Sequence, residues 1–294
     1  MDEYGIFHGD YSEPKSAVPQ HFVKIRYLLE HPHRYDAFCF GSSRVESLDL
    51  SRIDNGLTYY NMTYTEGLPQ EWLEDLRLLI ANGVTIKQVV IGLDDISYIN
   101  DPRGYKNNLF RAHYEKYNWR TYLAFLTVRP FAFHAADQKI IYDVYGTGRT
   151  FHCITEQLIE EDPDKHIRDP KFKESSHQIG DRVDATISEL REIKQLAEEN
   201  GIDLIVFINP MHKTTYLALD RTEFDVFKRK LADVTGYYDF SGLNSVTENN
   251  YNYYDTAHYR PLVGNMMIDR MFGTGTPPQD FGVWVTENNV EEHI

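Results

Sequence analysis

Apolar positions along the chain fall into two alternating periods. Short, nearly continuous apolar runs stand at 36–41 (DAFCFG), 57–61 (LTYYN), 88–95 (QVVIGLDD), 202–209 (IDLIVFIN) and 237–240 (YYDF). They are too short for helices, and they end at or just before Gly, Asn, Asp or Ser, the pattern of strands buried on both faces. Between them the period lengthens to that of an amphipathic helix. Phe22, Ile25, Leu28 and Leu29 mark one at 20–31, broken by Pro32; Trp72, Leu73, Leu76, Leu79 and Ile80 mark one at 69–82, with Pro69 at its start and Gly83 as its stop. Val183, Ile187, Leu190, Ile193 and Ala197 line a long helix at about 180–200 that Asn200-Gly201 ends, another spans 221–234, and a last one starts at Pro261. This order predicts an α/β fold, a doubly wound sheet of five parallel strands covered on both faces.

Three regions stand outside the alternation. Residues 1–20, with Gly5, Gly9, Pro14 and Pro19, read as an extended N-terminal arm, and 273–294 as a C-terminal tail. Residues 96–180 are rich in aromatics and histidines and predict a mostly helical insertion, a lid over the edge of the sheet. No linker divides the chain, so 1–294 is read as a single domain with an insertion. Nothing resembles a signal peptide or a membrane span, and Met1 directly before Asp-Glu-Tyr-Gly reads as the start of a portion cut from a longer protein, with an N-terminal anchor absent.

Composition narrows the function. The 294 residues carry 45 acidic against 30 basic side chains, net −15, which disfavours nucleic acid and anionic membrane surfaces as partners. Two cysteines, Cys39 and Cys153, build neither a disulfide framework nor a metal cluster. His152 beside Cys153 lacks the further ligands a zinc site needs. No Gly-x-Gly-x-x-Gly or Walker sequence follows any strand, so no nucleotide cofactor is expected, and none of another kind. The 21 tyrosines suit sugar stacking, although any one of them is better explained as ordinary core or surface.

Candidate chemistry sits at the ends of the chain's elements. The first strand delivers Ser42-Ser43-Arg44 to the carboxyl edge of the sheet, where open α/β folds bind their ligands; the alternative is a small-residue turn with Ser42 or Ser43 as a cap. Near the other end, Asp255 and His258 stand three apart in the polar, aromatic loop 252–261. A serine hydroxyl needs a base to take its proton, and the base needs a carboxylate to fix its tautomer; Ser43, His258 and Asp255 supply these three parts. Arg44 could steer an anionic sugar or pair with a carboxylate. His212, after the strand-ending Asn209-Pro210, could touch substrate at the same edge or be a plain loop histidine.

With these blocks the chain resembles the SGNH (GDSL-like) hydrolase superfamily, and more narrowly its acyltransferase-like members that act on cell-surface polysaccharides. Phe40-Gly41-Ser42-Ser43-Arg44 stands where the nucleophile block stands, and 253–261 (YYDTAHYRP) where the terminal Asp and His block stands. The resemblance implies a flavodoxin-like three-layer sandwich, a Ser43–His258–Asp255 triad, and oxyanion donors from the nucleophile's amide, a Gly and an Asn. It also implies an acylated carbohydrate or polysaccharide substrate, a membrane-bound acyl-donor partner and an extracytoplasmic location; without an anchor the alternative is cytoplasmic. The third block departs from the pattern, since Gly92-Leu93-Asp94-Asp95 puts an anion, Asp94, where the family has an amide donor; either Asp94 faces elsewhere, or it is protonated, or Asn61 supplies the donor. The expected function is therefore a serine esterase or O-acyltransferase, most simply of acetyl groups. The alternative is a carbohydrate-binding or polysaccharide-assembly protein that kept the fold and lost effective catalysis.

Overall fold

The five apolar runs pair side by side in one direction, as their burial on both faces requires. The computed structural model describes residues 19–105, 108, 111–114, 118–132, 140–175 and 180–294, so all but the end of the expected arm lies outside the described residues. The strands are β1 (Ala37–Phe40), β2 (Tyr59–Asn61), β3 (Gln88–Leu93), β4 (Ile141–Tyr142), β5 (Thr150–Phe151), β6 (Asp203–Ile208), β7 (Tyr237–Asp239) and β8 (Val283–Val285). The helices are α1 (Gln20–Glu30), α2 (Pro69–Ala81), α3 (Ile96–Ile99), α4 (Trp119–Ala132), α5 (Cys153–Glu161), α6 (Pro163–Ile167), α7 (Val183–Glu199), α8 (Lys213–Ala218), α9 (Arg221–Val234) and α10 (Pro261–Phe272).

The main sheet has six strands in the order β2-β1-β3-β6-β7-β8. The first five are parallel, as expected. The sixth is a correction: the tail returns as β8, antiparallel to β7, with Trp284 opposite Tyr238. Its three residues, half exposed at an edge, are too few to carry an apolar period. β4 and β5 form a separate hairpin around the 146–148 turn of the insertion.

Successive residues of each strand point to opposite layers. Phe38, Phe40, Val89, Ile91, Val206 and Ile208 face one core, with apolar residues of α1, α2, α7 and α9; Ala37, Cys39, Val90 and Phe207 face the other, with Val263, Met267 and Ile268 of α10. The result is an α/β sandwich of three layers. From β1 the chain moves outward to β2 and then back across to β3, so the strand order reverses between β1 and β3, and a crevice is left at their carboxyl ends. Ser43 follows β1 directly. No helix among the described residues is long and apolar enough to cross a membrane.

Two details fix the edge that carries Ser43. Gly92, near the end of β3, has no room for a side chain: a Cβ there would stand 2.6 Å from both Phe207 and Val45 Cγ2. Val45 closes the turn that begins at Ser43, so Gly92→Ala is expected to cost about 1–3 kcal/mol, the usual price of overpacking, and to displace that turn. Urea unfolding together with an activity assay checks it, and unchanged stability and activity would show that Val45 yields freely. On the outer side, the buried ammonium of Lys24 in α1 donates to the carbonyls of Asn61 (3.0 Å), Thr63 (2.6 Å) and Gly148 (2.7 Å). The N–H of Asn61 in turn donates to Thr147 O at 2.8 Å. The insertion is thereby tied to the end of β2.

Candidate active site

A short strand that stops at Gly41 passes into a single 3-10 turn, Ser43–Val45, capped by Ser42. The Ser42 hydroxyl accepts the Arg44 N–H at 3.3 Å and donates to Asp94 Oδ2 at 2.6 Å. Ser42 is thus the cap, and Ser43 is left to face outward.

The second half of the site is a loop closed on itself. Tyr253 and Tyr259 bridge, and the Tyr254 N–H donates to His258 O at 2.8 Å. Asp255 Oδ1 accepts the N–H groups of Ala257 (2.7 Å) and His258 (2.8 Å). The three-residue spacing therefore lets one carboxylate cap its own turn and still face the ring: His258 Nδ1 lies 3.0 Å from Asp255 Oδ2. The other ring nitrogen, Nε2, lies 2.9 Å from Ser43 Oγ, joining residues 215 apart in sequence. With Nδ1 protonated toward Asp255, Nε2 is free to accept the serine proton.

The charges support that tautomer. Burial would raise the Asp255 carboxyl, but the hydrogen bond and charge of His258 and two backbone N–H donors outweigh it and hold it well below the usual carboxylate range. Burial pulls His258 down, whereas the Asp255 hydrogen bond and charge, with Glu46 behind them, outweigh it; Arg44 opposes, and the net direction is upward from 6.5. Only the neutral imidazole accepts a proton. Any hydrolysis that depends on His258 should therefore fall as pH drops through a midpoint above 6.5, and Asp255→Asn should move that midpoint down because only burial then remains strong. Initial rates between pH 5 and 9 check both; a midpoint unaffected by Asp255→Asn would assign the limb to another group.

The remaining expected residues are placed as follows. Asn61 is fully buried and committed: its Nδ2 donates to Val45 O at 3.0 Å and to Glu46 O at 3.5 Å, and its Oδ1 accepts from the Thr63 N–H and hydroxyl. It braces the Ser43 turn from behind and has no donor left for an oxyanion. Asp94 is buried and accepts from the hydroxyls of Ser42 and Ser97. Burial, opposed by Arg44, keeps its carboxyl above the ordinary aspartate value. It positions the turn and is no oxyanion donor. His212 is buried too, its Nε2 3.0 Å from Asn250 Oδ1 and its Nδ1 accepting the Thr214 N–H at 3.2 Å, with the rings of Phe172 and Tyr253 against it. It caps α8 and supports the histidine loop from behind, the plain structural role among the two expected of it.

Arg44 is ion-paired with Asp95 and lies 3.9 Å from Asp94 Oδ2. Both carboxylates end β3, a pairing the sequence signals by placing Arg44 and Asp94-Asp95 after neighbouring strands. Arg44, Asp95, Glu174, Thr215, Thr256 and Ala257 line an open cleft of about 460 Å³ beside the histidine loop. Thr215 Oγ1 donates to Thr256 O at 2.5 Å and holds that wall.

A second histidine and carboxylate pair has no counterpart in the sequence reading. Glu46, on the turn after Val45, lies 3.0 Å from His152 Nε2, and the His152 ring rests 4.7 Å from Tyr254 of the histidine loop. This contact crosses 106 residues and places the insertion against the site. No protein-family model matches the chain, and no curated protein matches it in sequence.

Proposed function

We propose that the protein is a serine-dependent esterase or O-acyltransferase of the SGNH type, with a flavodoxin-like sandwich, acting on an acylated carbohydrate or polysaccharide. The observation that carries the reading is the continuous chain Ser43 Oγ–His258 Nε2 (2.9 Å) and His258 Nδ1–Asp255 (3.0 Å) at the strand-order reversal of the sheet. Ser43 attacks the acyl carbonyl as His258 takes its proton; His258 returns that proton to the leaving alkoxide, and the acyl-enzyme is released to water or to a sugar hydroxyl. Asp255 fixes the ring and stabilises the imidazolium. The hydroxyls of Thr215 and Thr256 and the carboxylates of Asp95 and Glu174 offer partners for sugar hydroxyls along the cleft. In the transfer variant a membrane-bound partner delivers the acyl group, and the protein works outside the cytoplasm.

The deciding experiment is intact-mass detection of an acyl-enzyme after exposure to p-nitrophenyl acetate. A gain of one acetyl group by wild type and none by Ser43→Ala supports the reading; no acylation of wild type by this or by longer acyl esters sinks it. One observation favours the rival, a carbohydrate-binding protein without catalysis: neither Asn61 nor Asp94 offers an oxyanion donor. The rival predicts an inert Ser43 and retained sugar binding.

A further inference from the structure

A carbonyl attacked by Ser43 develops negative charge on its oxygen, and a site that cannot stabilise that charge loses about 100-fold to 1000-fold per missing donor. The backbone N–H of Ser43 has no hydrogen-bond partner among the described residues and can serve as one donor. The side-chain amide expected from the third block is absent, because Asp94 stands there and accepts from Ser42 and Ser97, and Asn61 is spent on Val45 and Thr63.

Arg44 has the properties of the missing donor. It shares the 3-10 turn with Ser43, its side chain is nine-tenths buried, and it lines the cleft whose other wall is Thr256 and Ala257, between Asp255 and His258. Only Nη1 of its guanidinium is engaged, by Asp95, with Asp94 at 3.9 Å; Nε and Nη2 have no hydrogen-bond partner among the described residues. An anchored guanidinium is a rigid fork with the remaining N–H groups already oriented, and in its hydrogen bond to an oxyanion both partners are charged. The anion at 94 and the cation at 44 thus go together: the carboxylates that end β3 hold the arginine where an amide would otherwise donate.

Resting on the reading of Ser43 as nucleophile, we propose that Arg44 is a catalytic residue, its guanidinium and the Ser43 N–H together forming the oxyanion hole. In the step itself the Ser43 Oγ–C bond forms, the carbonyl π pair moves to oxygen beneath Arg44, and the serine proton passes to His258 Nε2. Collapse restores the C=O bond, breaks the C–O bond to the leaving alkoxide and hands that alkoxide the proton. Asp95 is the positioning residue of the arginine.

The test uses phenylboronic acid, which adds reversibly to a nucleophilic serine as a tetrahedral anion, with p-nitrophenyl acetate kinetics alongside. Arg44→Met should lower kcat by about 100-fold to 1000-fold with KM changed by no more than about threefold, and should weaken boronate binding by a comparable factor. Guanidinium ion added to Arg44→Ala should restore part of the rate, which a purely structural arginine would not show. Arg44→Gln, which can keep a hydrogen bond to Asp95, replaces Arg44→Met if the latter lacks a cooperative melt; its neutral amide can still donate, so a smaller loss of kcat than for Arg44→Met is expected, with boronate affinity lowered in step. A folded variant that retains wild-type boronate affinity and kcat overturns the proposal and leaves Ser43 intact. A wild type that neither acylates nor binds boronate overturns the nucleophile reading and this proposal with it.

Discussion

Replacing Ser43 with alanine is expected to lower kcat/KM for p-nitrophenyl acetate by about 10⁴-fold or more, to the level set by substrate binding and the oxyanion donors alone. The magnitude follows from what is lost: without Oγ there is no covalent intermediate, and His258 has only water to activate. His258→Ala should fall to nearly the same floor, and the double variant no further, because residues that act as one unit do not add. Ser43 Oγ has His258 as its only hydrogen-bond partner among the described residues. Ser43→Ala should therefore keep its urea midpoint, which separates loss of chemistry from loss of fold. If the two single variants instead differ widely and multiply in the double variant, the triad does not act as a unit and the mechanism is wrong.

Lys24→Met is expected to give the largest loss of stability, about 3 kcal/mol, from unpaired buried carbonyls at roughly 1–3 kcal/mol each. The ammonium donates to three carbonyls at 2.6–3.0 Å. Methionine fills similar space and donates to none. Removing a buried charge recovers part of the loss, since its desolvation cost vanishes, which is why the estimate lies at the low end of the sum for three unpaired groups. Against a typical total stability of about 5–15 kcal/mol, the shift is large and is read from urea unfolding. A change under about 1 kcal/mol would show that water replaces the ammonium. The same carbonyls join β2 to the insertion, and Asn61 braces the turn of Ser43. Loosening at this point should also widen the spread of Ser43 orientations and lower activity modestly in the molecules that remain folded.

The parallel strands were legible because burial on both faces leaves almost no polar positions within them, so Phe38, Val90 and Val206 announce strands without any partner in view. Helices α2, α7, α9 and α10 were legible for the complementary reason, a one-sided apolar period with recognisable starts and stops at Pro69, Asn200-Gly201 and Pro261. β8 was not, because three residues at an exposed edge carry no period. Among the site residues, Asp255 and His258 could be paired from their spacing, since a loop of that length brings the two side chains to one turn. Ser43 could be named because a strand-ending serine lies at the ligand edge of such a sheet.

What those residues do together depended on the tertiary structure. Asn61 had the right chemistry for an oxyanion donor and His212 for a substrate contact, and only their neighbours show that both are already spent, one on Val45 and Thr63, the other on Asn250 and Thr214. Glu46 and His152 meet across 106 residues, and Lys24 reaches Gly148 across 124. The sequence by itself determined the five parallel strands, their main covering helices and the three groups of the proposed triad, because short-range period and strand-end position encode them. The tertiary structure alone decided which polar groups remain free beside Ser43, because a side chain's last hydrogen bond is set by whatever the fold packs against it.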